Sequence, residues 1–516
     1  MSDTGSAPHR PLAITPDRVA HSARRPYAVV DIGSNSVRLV IYDELGRAPL
    51  PRFNEKSLCR LGEGLAQTGA IAPENFGRTV EALRRFRAIA DAMGVARIDA
   101  TATEAMRRAT NGPELQRLIE RETGLTIRIL SGAEEARFAA LGVVSGFFRP
   151  VGLVGDMGGG SLEVAEALDD RVGERWVSLP LGALPVEALM AEGVATAKAK
   201  IDAMLKSDLP PALTRPVFYP VGGGWRAFAR VHQIATGAPI HVVHGYTLDT
   251  KTVRDFAREL VRMPADKLAA LPGMPARRAR TLPAAALLLD RVLKRLAPEE
   301  VVFSALGLRE GWLYSQLSER ERYLDPLVEG AQAIGLPLAR VPGFAPELVR
   351  WTANIFPGES AAETRLRVAV CALSDHAWRD HPDVRAEESF RRLLHFPFIG
   401  ITHAERAFLA SCIHARYGGK PDDGYLGPAQ ALLSKAARRR AQVLGRAVTL
   451  AYRISAGMPK VLAGSRLMIG SDSVHLAVGA AVRVPDSEAV ADRLRLLAGA
   501  VGVKKFRVET LGDASG

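Results

Sequence analysis

The sequence predicts an α/β protein of two related halves, followed by an all-helical region and a small α/β domain at the C-terminus. A short strand–turn–strand motif occurs twice, strand-like apolar runs alternate with amphipathic helices up to about residue 318, and helical spacing follows. The expected divisions are a flexible tail at 1–26, the halves at 27–148 and 149–318, a helical domain at 319–464 and the last domain at 465–516.

The repeated motif is the clearest local signal in the chain. It reads VVDIGSNSVRLVI from Val29 and VGDMGGGSLEVAE from Val154. Each copy is an apolar strand, an Asp, a glycine turn, a hydroxyl and a second strand, which predicts a β-hairpin with a small tip. Such a tip presents backbone N–H groups that can bind an oxyanion. The aligned pairs are Asp31 with Asp156, Gly33 with Gly158, and Ser36 with Ser161.

The two tips supply the candidate phosphate ligands. These are Gly33, Ser34, Asn35, Ser36, Gly158, Gly159, Gly160 and Ser161. A plain glycine turn explains a single hairpin equally well, but two related hairpins favour two similar halves that close on one phosphate. The chain has no GxGxxG motif opening a helix after a strand and no GK[ST] motif, so the Rossmann and P-loop alternatives fit worse.

Carboxylates beside the tips are candidate metal ligands. An Asp at the strand end can hold a divalent cation directly or through water. Glu163 lies two residues after Ser161 and shares its face on a strand. We expect Asp156 and Glu163 to hold Mg²⁺ or another divalent cation, with Asp31 as the weaker symmetric candidate. The alternatives are that Glu163 orients a water and that Asp31 only braces the first loop.

Composition and charge limit the classes of partner. The 516 residues are 47% hydrophobic and 24% charged, which is typical of a globular protein. No apolar run reaches the roughly 20 residues of a membrane helix. The net charge of +12 favours an anionic partner. We expect a phosphate compound, and neither nucleic acid nor a membrane. Three widely spaced cysteines fit no disulfide framework or CxxC metal site and favour a reducing cytoplasm: Cys59, Cys371 and Cys412.

Sequence periodicity predicts the remaining elements in order. The first half continues with a helix at PENFGRTVEALRRFRAIADAMGV, a strand at RIDATATEAMRR, a helix stopped by Gly124, a strand at LTIRILSG and a helix at AEEARFAALGVVSGF. The second half gives two long helical stretches separated by VFYPVGGGWRAFARV. Helices follow from about Asp325, and two strands, a helix and a strand from about Ser465.

Taken together, the motifs resemble the exopolyphosphatase / guanosine pentaphosphate phosphohydrolase (Ppx/GppA) family of the actin-like ATPase superfamily. They run in the family's order from about Tyr27 to Leu317: DIGSNSVRLVIYD, ATATEAMRRATNG, ILSGAEEARFAALGV, GDMGGGSLEVAE, LPLGA, PVGGGWRAFARV and SALGLREGWLY. The resemblance implies two actin-like (ribonuclease H-like) domains with an interdomain cleft, followed by an all-α HD-like domain and a small C-terminal α/β domain.

The resemblance also implies roles for two residues. Arg107 lies at the family's phosphate-contacting position, with Arg108 as a neighbour that cannot face the same ligand. Glu135 lies at the position of the proposed general base. From the residues alone Glu134 and Glu135 are equal candidates, because acidic residues are common in a first helical turn. The family's commoner DIGGGSTE motif is altered here at Met157 and Leu162, which removes a Thr hydroxyl.

Several features remain open at this level. Gly222–Gly224 is either a ligand contact or a packing turn, and Arg309 either approaches the second hairpin or forms a structural salt bridge. Arg438–Arg440 is either a solvated helix face or part of a track for a long anion. The chain has no HD dipeptide, so we expect the HD-like domain to lack metal chemistry although it is rich in His and Asp: Asp375, His376, Asp380, His381, Asp383, His395, His403 and His414.

Four functions are consistent with these motifs. We expect an exopolyphosphatase that removes terminal phosphate from inorganic polyphosphate with Mg²⁺, in the cytoplasm and as a homodimer. The alternative is the same site acting on guanosine pentaphosphate, with guanosine tetraphosphate as a further partner. An actin-like kinase would need a nucleoside pocket, which the sequence does not show. A non-enzymatic phosphate sensor would need no catalytic base.

Overall fold

A computed structural model describes residue 14 and residues 25–210, 213–272, 279–479 and 487–511. The chain divides into two compact units, Ala23–Pro326 and Leu327–Gly516. Of the tail predicted at 1–26, only Ile14, Arg25 and Pro26 are among the described residues. The domain boundaries predicted at 148, 318 and 464 stay predictions.

The first unit contains two sheets built on one plan. Its strands are β1 Tyr27–Ile32, β2 Val37–Tyr42, β3 Pro51–Ser57, β4 Arg97–Ala102, β5 Ile127–Ile129, β6 Val151–Met157, β7 Leu162–Leu168, β8 Arg171–Leu179, β9 Val217–Val221, β10 Tyr246–Asp249 and β11 Glu300–Phe303. The sheet orders are β3-β2-β1-β4-β5 and β10-β11-β9-β6-β7-β8. In each sheet an antiparallel meander continues into parallel strands, so the predicted repeat is present.

Helices connect and cover the two sheets. Gly124 ends the helix Gly112–Thr123 with φ of 66°, the left-handed cap that glycine adopts readily. Pro73 begins the helix Pro73–Ala92, where its missing N–H costs nothing. The other helices of this unit are Leu65–Thr68, Glu104–Arg108, Gly132–Gly146, Ala183–Ala191, Val194–Asp208, Gly223–Ala235, Thr250–Arg262, Ala265–Ala270, Leu282–Leu296, Leu308–Ser315 and Glu319–Arg322.

Two kinds of element differ from the sequence prediction. The strands β3, β8 and β10 were not expected, because they contain few buried residues. The stretch RIDATATEAMRR is strand only through Ala102, and a short helix begins at Glu104. The end of β4 is therefore followed directly by a helix start at the edge of the sheet.

The strand β1 is buried on both faces because it lies between two apolar clusters. Val30 and Ile32 pack in the core of the first half. Tyr27 and Val29 pack in a second cluster that also contains Val154 of β6. This shared cluster packs β1 and β6 in one apolar core.

Glycines allow two helices to touch within that core. A Cβ on Gly311 would lie 1.8 Å from the carbonyl oxygen of Phe138, and one on Gly142 would lie 2.2 Å from that of Gly307. The backbones of Gly132–Gly146 and Leu308–Ser315 are therefore too close to admit a methyl group without movement.

Gly311→Ala is expected to destabilise the protein by about 1–3 kcal/mol, because overpacking forces the two helices apart. Gly77 supplies the control, since it lies in the exposed part of a helix with nothing within 4 Å of an added Cβ. Gly77→Ala should stabilise by about 0.5–1 kcal/mol. Thermal unfolding of the full chain measures both, and shifts of the same sign would contradict the close helix contact.

The second unit is helical up to a small three-stranded sheet. Its strands are β12 Ser465–Ile469, β13 Ser473–Gly479 and β14 Lys505–Leu511, in the order β12-β13-β14. This matches the expected order of two strands, a helix and a strand. The helices are Pro326–Leu338, Phe344–Thr352, Ala361–Leu373, Arg385–His395, His403–Arg416, Gly427–Gln430, Lys435–Ser455, Pro459–Ala463 and Ser487–Val501.

The basic run of this unit divides between two roles. Arg438 and Arg439 are exposed. Arg440 pairs with Glu359 at 2.5 Å and lies over the ring of Phe356. At least one of the three arginines therefore has a structural function.

None of the helices in the described ranges has a stretch both long and apolar enough to span a bilayer.

Candidate active site

The two predicted hairpins have the same turn geometry. The amide of Gly33 donates to the carbonyl of Ser36 at 3.0 Å, and the amide of Gly158 donates to that of Ser161 at 2.9 Å. The strand registers also correspond, because Ile32 faces Val37 and Met157 faces Leu162. The alignment made from sequence is therefore a structural repeat.

The hairpin tips face each other across a short gap. A Cβ on Gly159 would lie 3.1 Å from the Cβ of Ser34 and 3.8 Å from the amide nitrogen of Asn35. A larger side chain at Gly159 would fill this gap, which gives a physical reason for glycine at that position.

Carbonyl contacts orient the amides of both tips. The carbonyls of Ser34 and Asn35 accept bonds from the loop at 60–62. The carbonyls of Gly158, Gly159 and Gly160 accept bonds from the loop at 182–184. Because a trans peptide holds its N–H opposite its C=O, the following amides point away from these loops. Each tip is thereby arranged as a set of oriented N–H groups.

A cavity of about 250 Å³ lies at the two tips. It contains all but one of the predicted site residues, as the following lining residues show: Asp31, Gly33, Ser34, Asn35, Ser36, Glu135, Asp156, Gly158, Gly159, Gly160, Ser161 and Glu163. The structure thus brings together residues from both halves of the first unit.

Two helices begin at this cavity, because Gly223–Ala235 and Leu308–Ser315 contribute Gly223 and Leu308 to the lining. The helix Gly132–Gly146 contributes the side chain of Glu135 from its first turn. A helix N-terminus carries partial positive charge and unpaired N–H groups. The converging termini therefore favour an anionic ligand.

Glu135 is the buried carboxylate of the predicted pair. Its residue is 6% exposed, and burial raises the pKa of Glu135 to about 7, against the lowering effect of Arg107. Glu134 instead caps its own helix, with Oε2 accepting from the amide of Ser131 at 2.9 Å, and Oε1 pairs with Arg128. The geometry thus gives Glu134 a structural function and leaves Glu135 in the cavity.

Arg107 is the predicted residue that does not line the cavity. Its Nη1 donates to Oε1 of Glu135 and to the carbonyl of Leu130. Within the described ranges both bonds come from Nη1, so Nε and Nη2 are available to a phosphate beside Glu135. Arg108 pairs with Glu104 at 2.8 Å, on a different side of the short helix.

The predicted metal ligands are carboxylates, and neighbouring carboxylates add to the rise in pKa that burial causes. Burial raises the pKa of Asp156 to about 6, with Arg226 opposing and Asp31 adding to the rise. Burial, followed by the charge of Glu135, raises the pKa of Glu163 well above its usual value. Glu163 also accepts from Ser178 at 2.9 Å. Among the described residues no three His, Cys, Asp or Glu side chains are grouped as a complete metal site.

The open questions about the other motifs are partly resolved. Gly222–Gly224 lines the cavity, and Gly222 has φ of 108° with its Cβ position 2.4 Å from the carbonyl oxygen of Met157. Arg309 also lines the cavity, but it forms an ion pair with Glu310 at 2.7 Å. Arg309 also donates to the hydroxyl of Tyr42 on β2, so its contacts are the salt bridge and the first hairpin sheet, and its approach to the second hairpin stays a prediction.

Sequence reasoning did not assign a role to several residues of the cavity. Among the charged ones are Arg38, Lys56, Glu104 and Arg226. Glu104 lies so close to the second tip that a Cβ on Gly160 would lie 1.5 Å from its Oε2. Glu104 and Arg226 stand inside motifs that the sequence had already singled out, TEAMRR and GGGWRAF, but no local pattern shows which side chain of a motif faces the cleft.

Comparison with known proteins identifies the class. A model of the Ppx/GppA phosphatase family matches residues 25–320, and a model described as exopolyphosphatase, C-terminal, matches residues 327–508. With the actin-like arrangement of two sheets around a cleft, these matches define a phosphoanhydride hydrolase. The chain belongs to the Ppx/GppA phosphatase family.

Individual relatives agree with this family assignment. Exopolyphosphatase 1 of Mycobacterium tuberculosis is 30% identical over 303 residues, which are 56% of this chain and 87% of that protein. Retrograde regulation protein 2 of Saccharomyces cerevisiae is 27% identical over 438 residues, 77% of this chain and 73% of that one. The crystal structure of the Aquifex aeolicus Ppx/GppA family member superposes with a TM-score of 0.50 at 25% identity, covering 57% of this chain and 97% of that chain.

Proposed function

We propose that this protein is an exopolyphosphatase, which hydrolyses the terminal phosphoanhydride bond of inorganic polyphosphate and releases orthophosphate. The observation that carries the proposal is the single cavity in which two amide-presenting tips face each other beside Glu135. The identity to a protein named exopolyphosphatase 1 supports this choice of substrate. The activity on guanosine pentaphosphate uses the same groups and is the alternative.

In the proposed reaction the tips hold the terminal phosphoryl group. Their amides, with the hydroxyls of Ser34 and Ser161, stabilise the charge on its oxygens. Glu135 accepts a proton from a water that attacks the phosphorus, in line with the bridging oxygen. The P–O bond to the chain breaks, and the shortened chain leaves as an anion.

We propose that Asp156 and Glu163 hold a divalent cation, with Asp31 as a weaker contributor. The fit rests on the donors: Asp156 and Glu163 face each other on β6 and β7, and the charge of Asp156 adds to the rise in the pKa of Glu163. A cation held between the two carboxylates would remove that repulsion. Mg²⁺ binds through one or two carboxylates plus water and phosphate oxygens, so no complete protein cage is needed. The cation would neutralise charge on the phosphate oxygens.

Arg107→Ala is expected to raise the KM for polyphosphate about 10- to 100-fold, because a charge-assisted contact of this kind contributes about 1.5–3 kcal/mol. The matched control is Arg108→Ala, which removes the same charge from the next residue. Initial-rate measurements of phosphate release give both constants. An unchanged KM and kcat in Arg107→Ala would exclude this contact.

The substrate itself is tested by comparing phosphate release from long polyphosphate, guanosine pentaphosphate and ATP in one Mg²⁺ buffer. We expect the highest kcat/KM for polyphosphate. A higher value for guanosine pentaphosphate would select the alternative, and release only from ATP would reject both. The predicted homodimer and cytoplasmic location stay predictions, and light scattering tests the first of them.

A further inference from the structure

The first hairpin carries a row of side chains that runs across three strands. Asp31 of β1 faces Arg38 of β2, and Arg38 in turn faces Lys56 of β3. Residues directly opposite each other on neighbouring strands project from the same face of a sheet. All three line the cavity. The row therefore presents one carboxylate followed by two cations.

The second hairpin carries the corresponding row with different chemistry. Asp156 of β6 faces Glu163 of β7, and Glu163 faces Ser178 of β8. Asp156 is the structural equivalent of Asp31, and Glu163 stands where Arg38 stands in the first half. The repeat has thus diverged so that one side of the cavity is cationic and the other is anionic.

Charged neighbours distinguish the two rows. The groups that act on Arg38 are Arg309, Arg226, Glu310 and Asp31, and Arg309 is paired with Glu310. The groups that act on Glu135 are Arg107, Asp156 and Glu104, none of which is a cation of the first row. We call Arg38 and Lys56 the cationic wall. The wall lies on strands of the first hairpin sheet, whereas Glu163 lies on the second hairpin.

From this asymmetry we infer the direction in which the polyphosphate chain lies: its terminal phosphate is held at the tips beside Glu135, and its following phosphates lie along the cationic wall. The inference rests on the proposed function. The chain carries about one negative charge per phosphate, so the cations of the wall attract it. The wall also stabilises the negative charge that the leaving chain acquires.

The wall then determines which substrates bind well. Orthophosphate occupies the tips alone, whereas tripolyphosphate and longer chains reach the wall. Loss of a wall cation should therefore weaken binding of chains without weakening binding of a single phosphate.

The test measures binding by calorimetry in the Glu135→Gln background, where turnover is expected to be slow, with orthophosphate and tripolyphosphate as probes in Mg²⁺. We expect Arg38→Gln and Lys56→Gln each to weaken tripolyphosphate binding about tenfold. Orthophosphate binding should change by less than about twofold. The dependence of log K on log salt should become shallower by about one per cation removed.

Arg52→Gln is the matched control. Arg52 lies on the same strand as Lys56, is not a lining residue, and pairs with Asp43 at 2.7 Å. It should leave both affinities unchanged. Lys56→Arg keeps the charge and should restore tripolyphosphate binding, which separates a charge effect from misfolding.

Two results would overturn the inference. One is an equal loss for orthophosphate and tripolyphosphate, which would place the terminal phosphate on the wall. The other is wall variants that behave like Arg52→Gln although the wild-type protein releases phosphate from polyphosphate. If the wild type releases none, the proposed function fails first, so the two failures can be told apart.

Discussion

Glu135→Gln is expected to lower the rate of phosphate release from polyphosphate by about 10²–10⁴-fold, the usual contribution of a positioned base. Glutamine has nearly the same shape but cannot accept the proton of the attacking water at neutral pH. Its amide can still accept from Arg107, which bonds Glu135 in the structure. Binding of polyphosphate should therefore be kept, and single-turnover kinetics with a calorimetric Kd measure the two quantities separately.

Glu134→Gln is the control for this variant. Glu134 caps the helix Gly132–Gly146 through Ser131, and glutamine at the third helical position preserves that capping arrangement. The rate should stay close to that of the wild type. Phosphate release that persists in Glu135→Gln but falls in Glu134→Gln would reverse the assignment of the base.

Asp156→Asn should reduce kcat/KM by about 100-fold or more at a fixed Mg²⁺ concentration, because a metal-bound charge contributes several kcal/mol to phosphoryl transfer. The carboxylate lies at the end of β6 beside Gly222 and Gly307, and a neutral amide there holds a divalent cation weakly. A titration of activity against Mg²⁺ should show a large increase in the concentration needed for half-maximal rate.

Asp31→Asn is the symmetric comparison. Arg309, Arg38 and Lys56 lie near Asp31 and oppose the rise that burial causes in its pKa. We therefore expect Asp31→Asn to shift the Mg²⁺ requirement much less. Full activity of the wild type in excess chelator, or identical Mg²⁺ curves for both variants, would exclude the metal assignment.

The fold was largely predictable because its signals are local. The hairpin at Asp31 and the one at Asp156 each show a strand, a bare turn and a second strand within about thirteen residues. The end of a helix can also be predicted locally, because it depends on the backbone conformation of one residue, such as the left-handed Gly124. The sheet edges were not predictable in this way. Strand β8 is polar and mostly exposed, and it is a strand only because β7 pairs with it.

The residues of the candidate site also divide into those that a local pattern predicts and those whose position depends on distant segments. Residues inside a motif, such as Ser161 and Glu163, could be placed by alternation along a strand. Lys56 could not, because its position depends on the pairing of β2 with β3. Arg107 was expected to contact phosphate, and in the structure its side chain bonds Glu135 and the carbonyl of Leu130. Side-chain direction at a helix start depends on packing from distant segments, which one sequence does not reveal.

The most direct test of the account is a crystal structure of the Glu135→Gln protein with tripolyphosphate and Mg²⁺. We predict one terminal phosphate whose oxygens accept hydrogen bonds from amides of both hairpins, at 34–36 and at 159–161, with the rest of the chain along Arg38 and Lys56. A phosphate bound to one hairpin alone, with the other tip turned away from it, would contradict the claim that the two halves close on a single phosphoryl group.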